Sequence, residues 1–441
     1  MGNSSLSPAR YLAGGFAAMI LAGTMLLSLP FATADGRIDI IDAPFTATSA
    51  VCVTGLVVVD TGTYFTAAGQ LIIMFLILGG ALGFMTTATV LFVLLGRRIT
   101  LKDRLIIKEA LNTNSIQGVV SLILSIVKIS LVLILAGTVL LSLRFIPQFG
   151  WEKGLFFALF HAVSAFGNAG FDLTGGFQSL TAYVGDYLVS GTIVFLFIAG
   201  GLGYPVILEL LQHKKPARFS LHSKLVLLFS SVLLLLGTLI IFSMEYANPQ
   251  TLGGLGFGNK LFAAFFTAAA PRTAGFNVIP IDALTTPVLF FLLLLMFIGA
   301  SPASTGGGVK TTTFALLLFT VRALIKGSDK VVLYEKHIPP SLILKALAVL
   351  FISISLIFIM IFAISIVEQK LFLDLAFEVF SAFGTVGLTT GITPDLGNSG
   401  RILLIITMFA GRIGPLTLLF ALTRRFNPGA INYPEERILI G

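Results

Sequence analysis

Apolar runs of two lengths alternate along the chain in the order long, short, long, and this order occurs four times. The long runs contain about 20 apolar residues, the length needed to cross a bilayer as a helix, whereas runs of roughly 10 to 14 residues are typical of half-spanning segments. The pattern predicts an all-α polytopic membrane protein with eight spanning helices and four re-entrant half-helices. The short runs fall at about residues 44–53, 155–166, 261–270 and 375–383.

Each short run ends just before a glycine that recurs in all four copies of the pattern. The two clearest copies read SAFGNAGF, from Ser164 to Phe171, and SAFGTVGL, from Ser381 to Leu388. The aligned glycines and the residues before them are Thr54 and Gly55, Ala169 and Gly170, Ala274 and Gly275, and Val386 and Gly387. The predicted repeats are residues 1–100, 101–217, 218–330 and 331–426, followed by a cytoplasmic tail at residues 427–441.

The composition and the placement of charge agree with a membrane protein. Of the 441 residues, 56% are hydrophobic and 11% are charged, whereas a soluble domain carries about 25% charged residues. The formal charge of +8 comes largely from lysines and arginines in the gaps after each second long run, so we attribute it to topology and not to nucleic-acid binding. The positive-inside rule then predicts a protein of the cell membrane with both termini in the cytoplasm.

The four short helices predict a pore. Irregular backbone at membrane depth occurs where protein buries it or water lines it, so four half-helices that enter from one side converge most simply around a shared axis. Their C-terminal dipole ends favour a cation there. Glycine can adopt backbone angles that let carbonyl oxygens face a dehydrated ion. No acidic side chain occupies the aligned position, which favours a filter of carbonyl oxygens over a ring of carboxylates.

A further glycine follows each aligned glycine in the second long run, at Gly80, Gly200, Gly299 and Gly411. Three of these begin a Gly-x-x-Gly pair, for which close packing between helices is one explanation. The third copy differs, because it continues into a stretch rich in glycine, serine, threonine and proline. Residues 299–313 are therefore predicted to unwind inside the membrane.

The four repeats, the four glycine segments and the altered third copy resemble the Trk/Ktr/HKT superfamily of potassium transporters. In length and simple termini the chain resembles the bacterial KtrB type. The resemblance covers nearly the whole chain, and it implies one potassium pore whose ion-binding selectivity filter is formed by the four aligned glycines and the residues before them. In related plant transporters a serine at the first filter position accompanies sodium selectivity, so Gly55 favours potassium.

The resemblance also implies that the altered third stretch is a gate below the filter. Arg412 lies within an apolar run of the fourth repeat, where a charge needs a cavity or a partner. It either bonds to loop carbonyls as a structural residue or helps to close the gate, and Lys310 either joins the gate or snorkels to the cytoplasmic surface. The predicted gate residues are Gly299, Ser304, Thr305, Gly306, Gly307, Gly308, Lys310 and Arg412.

The resemblance implies partners as well: a second copy in a homodimer, and a cytoplasmic ring of KtrA-type subunits that binds ATP or ADP. It further implies uptake that is stimulated by sodium. The chain contains no Rossmann fingerprint, and its Gly-Gly-Gly-Val-Lys stretch lacks the adjacent glycine and lysine of a P-loop. We therefore expect no nucleotide site in this chain, potassium as the transported ion, sodium as a second ion, and contacts with membrane lipid but not with nucleic acid.

Two other functions are weighed against potassium uptake. A transporter for sodium or another monovalent cation that works by alternating access is one, although fourfold repetition counts against it. A membrane enzyme is the other, and it would need acid, base or metal ligands clustered at one depth. The four scattered histidines and the single Cys52 provide no such cluster, so we expect the chain not to be an enzyme.

Four polar residues near the predicted pore have structural explanations. His161 and Glu378 each lie nine residues before their aligned glycine, and we expect them to form hydrogen bonds within the packing of the short helices. Arg272 is expected to brace the filter through hydrogen bonds. Asp42, two residues before Pro44, is expected to be the N-cap of the first short helix.

Overall fold

The computed structural model describes residues 8–94, 118–213, 216–328 and 330–422. Within these ranges the fold is helical, apart from a short antiparallel hairpin of β1 (Val332–Leu333) and β2 (Lys336–His337). The predicted tail at residues 427–441 and the basic gap at residues 95–117 lie outside the described residues.

A long helix opens each repeat. By length and composition each of the four can cross a membrane, and between 17% and 33% of the apolar window in each is buried inside the protein. Most of their apolar surface is therefore free to face lipid, as a spanning segment requires. These helices are α1 (Pro8–Leu27), α6 (Val119–Phe149), α10 (Leu221–Glu245) and α14 (Pro340–Val367).

A shorter helix follows each long one, and its C-terminal part is mostly buried. At about 1.5 Å per residue, helices of 11 to 17 residues are 17 to 26 Å long, so they are too short for the roughly 30 Å of a hydrocarbon core. They match the four predicted half-helices and are called pore helices below. They are α2 (Asp42–Cys52), α7 (Trp151–Gly167), α11 (Phe257–Ala269) and α15 (Phe372–Gly384).

The second helix of each repeat is interrupted. In the second and fourth repeats its two parts are bent by 100° and 97°, and in the first, second and fourth repeats the break falls at Gly83, Gly203 and Gly414, with φ of 82°, 92° and 89°. Angles in this left-handed region favour glycine. The helices are α4 (Ala67–Leu82) and α5 (Phe84–Leu94), α8 (Tyr187–Leu202) and α9 (Tyr204–Gln212), α12 (Thr286–Phe297) and α13 (Thr311–Ile325), and α16 (Asn398–Ile413) and α17 (Pro415–Leu422).

The two glycines of each Gly-x-x-Gly pair have different roles. A Cβ atom at the first glycine, Gly80, Gly200 or Gly411, would collide with the carbonyl oxygen of a residue near the end of its own repeat's pore helix. The first glycine therefore permits a close backbone approach and the second permits the bend. Close packing, which the sequence suggested, explains half of the motif.

The repeats close into a ring. The second helix of each repeat contacts the pore helix of the next: α4 with α7, α8 with α11, α12 with α15, and finally α16 with α2 of the first repeat. A short helix, α3 (Thr61–Tyr64), follows the pore segment of the first repeat. Because of this cyclic packing, the C-terminal ends of all four pore helices lie next to the segments that carry the aligned glycines.

Candidate functional site

The four aligned glycines lie in one ring. Each packs so closely on the glycine of the next repeat that an added Cβ atom would lie within 2.9 to 3.4 Å of that neighbour's Cα atom. The contacts run from Gly55 to Gly170, from Gly170 to Gly275, from Gly275 to Gly387, and from Gly387 back to Gly55. The same Cβ atoms would meet the carbonyl oxygens of the residues before the neighbouring glycines: Ala169, Ala274, Val386 and Thr54. All eight predicted filter residues are thus brought together.

The backbone has the same unusual conformation in all four segments. The glycines have φ of 91°, 68°, 76° and 90°, and the residues two positions earlier are also left-handed. The intervening residue in each segment has negative φ, so the handedness alternates. Backbone strain of this kind persists only where the surrounding structure imposes it, and it is frequent at functional sites. The left-handed residues before the glycines are Val53 (56°), Asn168 (58°), Thr273 (71°) and Thr385 (51°).

Sequence reasoning did not identify these four left-handed positions. Asparagine tolerates left-handed angles and provides a weak signal at Asn168. Valine and threonine are β-branched and provide none, so the conformation at Val53, Thr273 and Thr385 is imposed by the packing around them.

Two pore-helix serines bond to the backbone of the aligned glycines. Ser49 Oγ accepts a hydrogen bond of 3.0 Å from Gly55 N, and Ser381 Oγ accepts one of 3.0 Å from Gly387 N. Each serine lies six residues before its glycine. Of these two, only Ser381 belongs to a SAF motif: Ser49 begins Ser-Ala-Val, and the Ser164 hydroxyl of the other SAF copy is buried without a hydrogen-bond partner among the described residues. No role was predicted for these serines.

His161 and Glu378 hold the segments that follow the aligned glycines of their repeats. Glu378 accepts hydrogen bonds from the hydroxyls of Thr389 and Thr393, the second at 2.7 Å. Leu173 N lies 3.4 Å from His161 Nε2, and His161 Nδ1 lies 2.8 Å from Phe157 O. With Nε2 as the acceptor, Nδ1 carries the proton and donates a hydrogen bond to Phe157 O. Both side chains are fully buried, and their bonds reach beyond the pore helices.

Arg272 bonds to α10 of its own repeat through its side chain and to the second repeat through its carbonyl oxygen. Its Nη2 donates to Ser230 Oγ over 2.9 Å, and its carbonyl oxygen accepts from Asn168 Nδ2 over 3.5 Å. Asn168 Nδ2 also donates to Thr273 Oγ1 over 3.1 Å. The amide of Asn168 thus joins the left-handed residues of the second and third repeats, and the role of the Arg272 side chain as a brace stays a prediction.

Asp42 is not the N-cap that its position before Pro44 suggested. The helix begins at Asp42, its cap residue is Ile41, and the structure gives no side-chain cap bond there. Asp42 Oδ1 instead forms an ion pair of 2.5 Å with Arg401 Nη1 of the fourth repeat. The carboxylate therefore helps to join the first and fourth repeats.

A cavity of about 200 Å³ lies against the ring of glycines, and all four line it. Asp60 and Asp172 also line this cavity, which we call the vestibule. Asp172 accepts hydrogen bonds from the backbone N–H and the hydroxyl of Thr174. Burial raises the pKa of the Asp172 carboxyl to about 6, because desolvation disfavours its charged form more than the bonds to Thr174 favour it.

The altered third copy forms an unwound loop between α12 and α13, at residues 298–310, called the third-repeat loop below. Its ends meet at a bridge between Ile298 and Val309, where Gly299 N donates to Val309 O over 2.9 Å. The predicted loop ended at residue 313, but helix α13 begins at Thr311. Thr311 is buried and its hydroxyl bonds to Ser301 Oγ over 3.1 Å, which fixes the start of the helix.

The third-repeat loop lies directly against two of the segments that carry the aligned glycines. Gly307 N donates a hydrogen bond of 2.9 Å to Thr385 Oγ1. A side chain at Gly306 would collide with Thr273, and one at Gly307 would crowd Thr385. The two contacted threonines are the left-handed residues of the third and fourth filter segments.

The loop also bonds to the broken helix of the second repeat. Ser301 N donates to Gly201 O over 3.1 Å, and Thr305 N donates to Gly200 O over 3.3 Å. Tyr204 N, at the start of α9, donates to Ala303 O over 3.0 Å. The bend at Gly203 exposes these backbone groups, and the loop supplies their partners.

Two cations hold the loop. Arg412 donates to Thr305 O and to Gly80 O, so it connects the fourth, third and first repeats. Lys310 Nζ donates to Gly306 O over 2.6 Å, which shows that it turns back to the loop and does not snorkel to the surface. Of the other predicted gate residues, Ser304 bonds to Ser301 O over 2.6 Å, and Gly308 has a φ of 69°. The predicted gate residues thus lie together below the ring.

Known proteins resemble the chain over nearly its whole length. Residues 17–428 match the model of the TrkH family, described as cation transport protein. Ktr system potassium uptake protein B of Bacillus subtilis (strain 168) is 46% identical over 435 residues, which are 99% of this chain and 97% of that protein. The potassium/sodium uptake protein NtpJ of Enterococcus hirae is 41% identical over 443 residues, covering 99% of this chain and 98% of that protein.

A solved structure has the same fold. The crystal structure of the potassium transporter TrkH from Vibrio parahaemolyticus matches with a TM-score of 0.73 at 20% identity, covering 93% of this chain and 85% of that chain. These relatives are transporters and not enzymes, which confirms the expectation for this chain. With the family model matched over residues 17–428 and the fold shared, the chain belongs to the TrkH family of cation transport proteins.

Proposed function

We propose that the chain takes up potassium across the cell membrane through the ring of four glycines. The observation that carries this proposal is the closed set of contacts among Gly55, Gly170, Gly275 and Gly387, which leaves no room for side chains between neighbouring segments. A ring of main-chain oxygens suits a dehydrated monovalent cation. The membrane potential drives uptake with about 2.3 kcal/mol per charge for each 100 mV.

Potassium is favoured over sodium by two observations. The first filter position is Gly55, where the family resemblance associates a serine with sodium selectivity, and the B. subtilis relative is named as a potassium uptake protein. The E. hirae relative is named as a potassium/sodium uptake protein. This name supports sodium as a second ion that stimulates uptake, and it keeps sodium transport as the alternative function.

In the proposed mechanism the third-repeat loop is the gate. It packs against Thr273 and Thr385 below the filter, so an ion that leaves the ring meets the loop next. The loop is rich in glycine, has few side chains of its own to pack, and is held by hydrogen bonds from Arg412 and Lys310. Opening requires that the contacts of Arg412 with the loop be exchanged for others.

Regulation is proposed to come from partners. The name Ktr system, carried by the B. subtilis relative, is consistent with additional subunits. We infer a homodimer that docks on a cytoplasmic ring of KtrA-type subunits binding ATP or ADP, with both termini of this chain on the cytoplasmic side. The proposed docking surface includes the basic gap at residues 95–117 and the tail from Phe426 to Gly441, which lie outside the described residues.

Flux into liposomes tests the function. Purified protein should admit potassium faster than sodium under the same potential, and equal flux or sodium preference contradicts the potassium assignment. Gly170→Ser and Gly387→Ser should reduce the selectivity, because each places a side chain into the contact between filter segments. Gly191→Ser is the matched control, since an added Cβ there meets no atom within 4 Å. Selectivity unchanged in both filter variants would exclude the ring as the filter.

A further inference from the structure

A second cavity lies at the C-terminal end of α13, the helix that follows the third-repeat loop. Its volume is about 490 Å³, and it lies between the last turns of α13 and the β1–β2 hairpin. Its wall includes three exposed basic side chains, Arg322, Lys326 and Lys330, beside the rings of Phe319 and Tyr334. The residues that line it include no filter or loop residue, so it is separate from the candidate ion site.

Among the described residues, none of the three basic side chains of this basic pocket forms an ion pair. The three ion pairs in the described part of the chain involve other residues, at Arg144 with Asp186, Lys370 with Asp395, and Arg401 with Asp42. Glu335 is exposed at the turn of the hairpin and forms none of these pairs. A fourth cation, Lys224, lies 5.4 Å from the centroid of the Tyr334 ring. Unpaired cations around one cavity attract an anionic ligand.

The pocket borders an apolar surface. Its floor contains the buried residues Val331 and Leu333, which pack with Leu225 of α10. On the outside of α13, an exposed apolar strip leads up to the basic residues and ends at Ile325, which is 81% exposed. The strip consists of Leu318, Val321, Leu324 and Ile325. A ligand that fits both surfaces has an anionic head and an apolar body.

The depth of the pocket matches the level of lipid headgroups. Eleven residues separate Arg322 from Thr311, where α13 leaves the third-repeat loop, so the helix rises about 16 Å between them. Half of a hydrocarbon core is about 15 Å thick. Since residues 299–313 are predicted to unwind inside the membrane, this length of helix brings Arg322 to the level of the boundary between acyl chains and headgroups.

We propose that the basic pocket binds the phosphate-bearing headgroup of an anionic phospholipid, whose acyl chains lie along the apolar strip of α13. The arginine guanidinium offers two parallel donors to a phosphate, and the lysines add charge around it. The adjoining apolar strip selects a lipid over a soluble phosphate. This binding site is independent of which ion passes the filter.

Native mass spectrometry of the full chain tests the proposal. Protein is equilibrated with phosphatidylglycerol and phosphatidylcholine of identical acyl chains, and the retained lipids are counted. The wild type should prefer phosphatidylglycerol, and Arg322→Gln, Lys326→Gln and Lys330→Gln should each reduce that preference roughly fivefold, since each basic residue adds a comparable attraction. Lys345→Gln is the control, because Lys345 is an exposed lysine in the next helix that does not line the pocket.

Two results would overturn the proposal. Three single variants that keep the wild-type preference would show that the basic pocket holds no lipid. Competition by inorganic phosphate or glycerol 3-phosphate at the same concentration as the lipid would identify a soluble phosphate as the ligand instead. Lys330→Gln lies outside the helices, so it provides a reading even where a change within α13 lowers the yield of folded protein.

Discussion

The backbone N–H of Gly307 donates a hydrogen bond of 2.9 Å to the hydroxyl of Thr385. Gly307 belongs to the third-repeat loop, and Thr385 is the left-handed residue two positions before the filter glycine Gly387. One side chain thus joins the proposed gate to the proposed filter. A displacement of the loop removes a bond that supports a strained residue of the filter.

Thr385→Val tests this connection. Valine has nearly the same shape but no hydroxyl, so the N–H of Gly307 loses its partner at a cost of about 1–3 kcal/mol. We expect a lower unfolding temperature and a higher basal cation flux. Thr320→Val is the control, since the Thr320 hydroxyl bonds only to Leu316 O of its own helix. Flux and stability equal to those of the control would contradict a role for the bond.

Arg412→Ala should raise basal flux, because it removes the donors that hold Thr305 O and Gly80 O. Arg412→Lys should have an intermediate flux, since one ammonium group replaces a planar fork of donors. Flux assays in liposomes without a regulatory partner measure both. A flux that is unchanged in both variants, and also after deletion of residues 304–307, would reduce the loop to a structural element.

Gly200→Ala should destabilise the protein, whereas Gly191→Ala in the same helix should not. A Cβ at Gly200 would collide with Phe166 O and lie 2.8 Å from Asn168 Oδ1 and 3.0 Å from Thr305 Oγ1. A Cβ at Gly191 meets no atom within 4 Å, and alanine there gains up to about 1 kcal/mol of helix propensity. Thermal unfolding in detergent measures the difference. Equal stability of the two variants would contradict the close approach of α8 to the pore helix.

The ion pair between Asp42 and Arg401 should contribute far more to stability than the pair between Lys370 and Asp395. The side chains of the first pair are 8% and 15% exposed, and Asp395 is 67% exposed. Asp42→Ala leaves a buried arginine without its carboxylate and should cost roughly 3–5 kcal/mol. Asp395→Ala should cost at most about 1 kcal/mol. Chemical or thermal unfolding distinguishes the two, and similar costs would show that the first pair is not needed to join the repeats.

Uptake at low potassium concentration should fall as the external pH falls through about 6. The pKa of Asp172 is raised to about 6, so its carboxyl is charged above this pH and neutral below it. The charged form attracts cations into the vestibule, and protonation removes that attraction. Asp172→Asn should give slow uptake with no such pH step, whereas Asp282→Asn, at an exposed aspartate, should keep the wild-type profile. A pH step that persists in Asp172→Asn would assign it to another group.

The structure brought together the predicted filter and gate residues, which were identified by different kinds of sequence information. The filter residues follow from local patterns, because a short apolar helix and a recurring glycine mark the same position in each repeat. The gate residues follow from the third copy, which departs from the pattern of the other three because its glycines and proline prevent a continuous helix. Their roles in binding and gating stay predictions.

The sequence by itself determined the fourfold order of helices, because the length of an apolar run and the position of glycines act on neighbouring residues. The tertiary structure alone decided the closure of the ring, the sharp bends at Gly203 and Gly414, and the left-handed residues before the aligned glycines. These depend on partners far apart in the chain: Arg412 bonds to a residue 332 positions away, and Arg401 pairs with Asp42 across 359 positions. No local pattern encodes such contacts, since they form when the first and fourth repeats pack against each other.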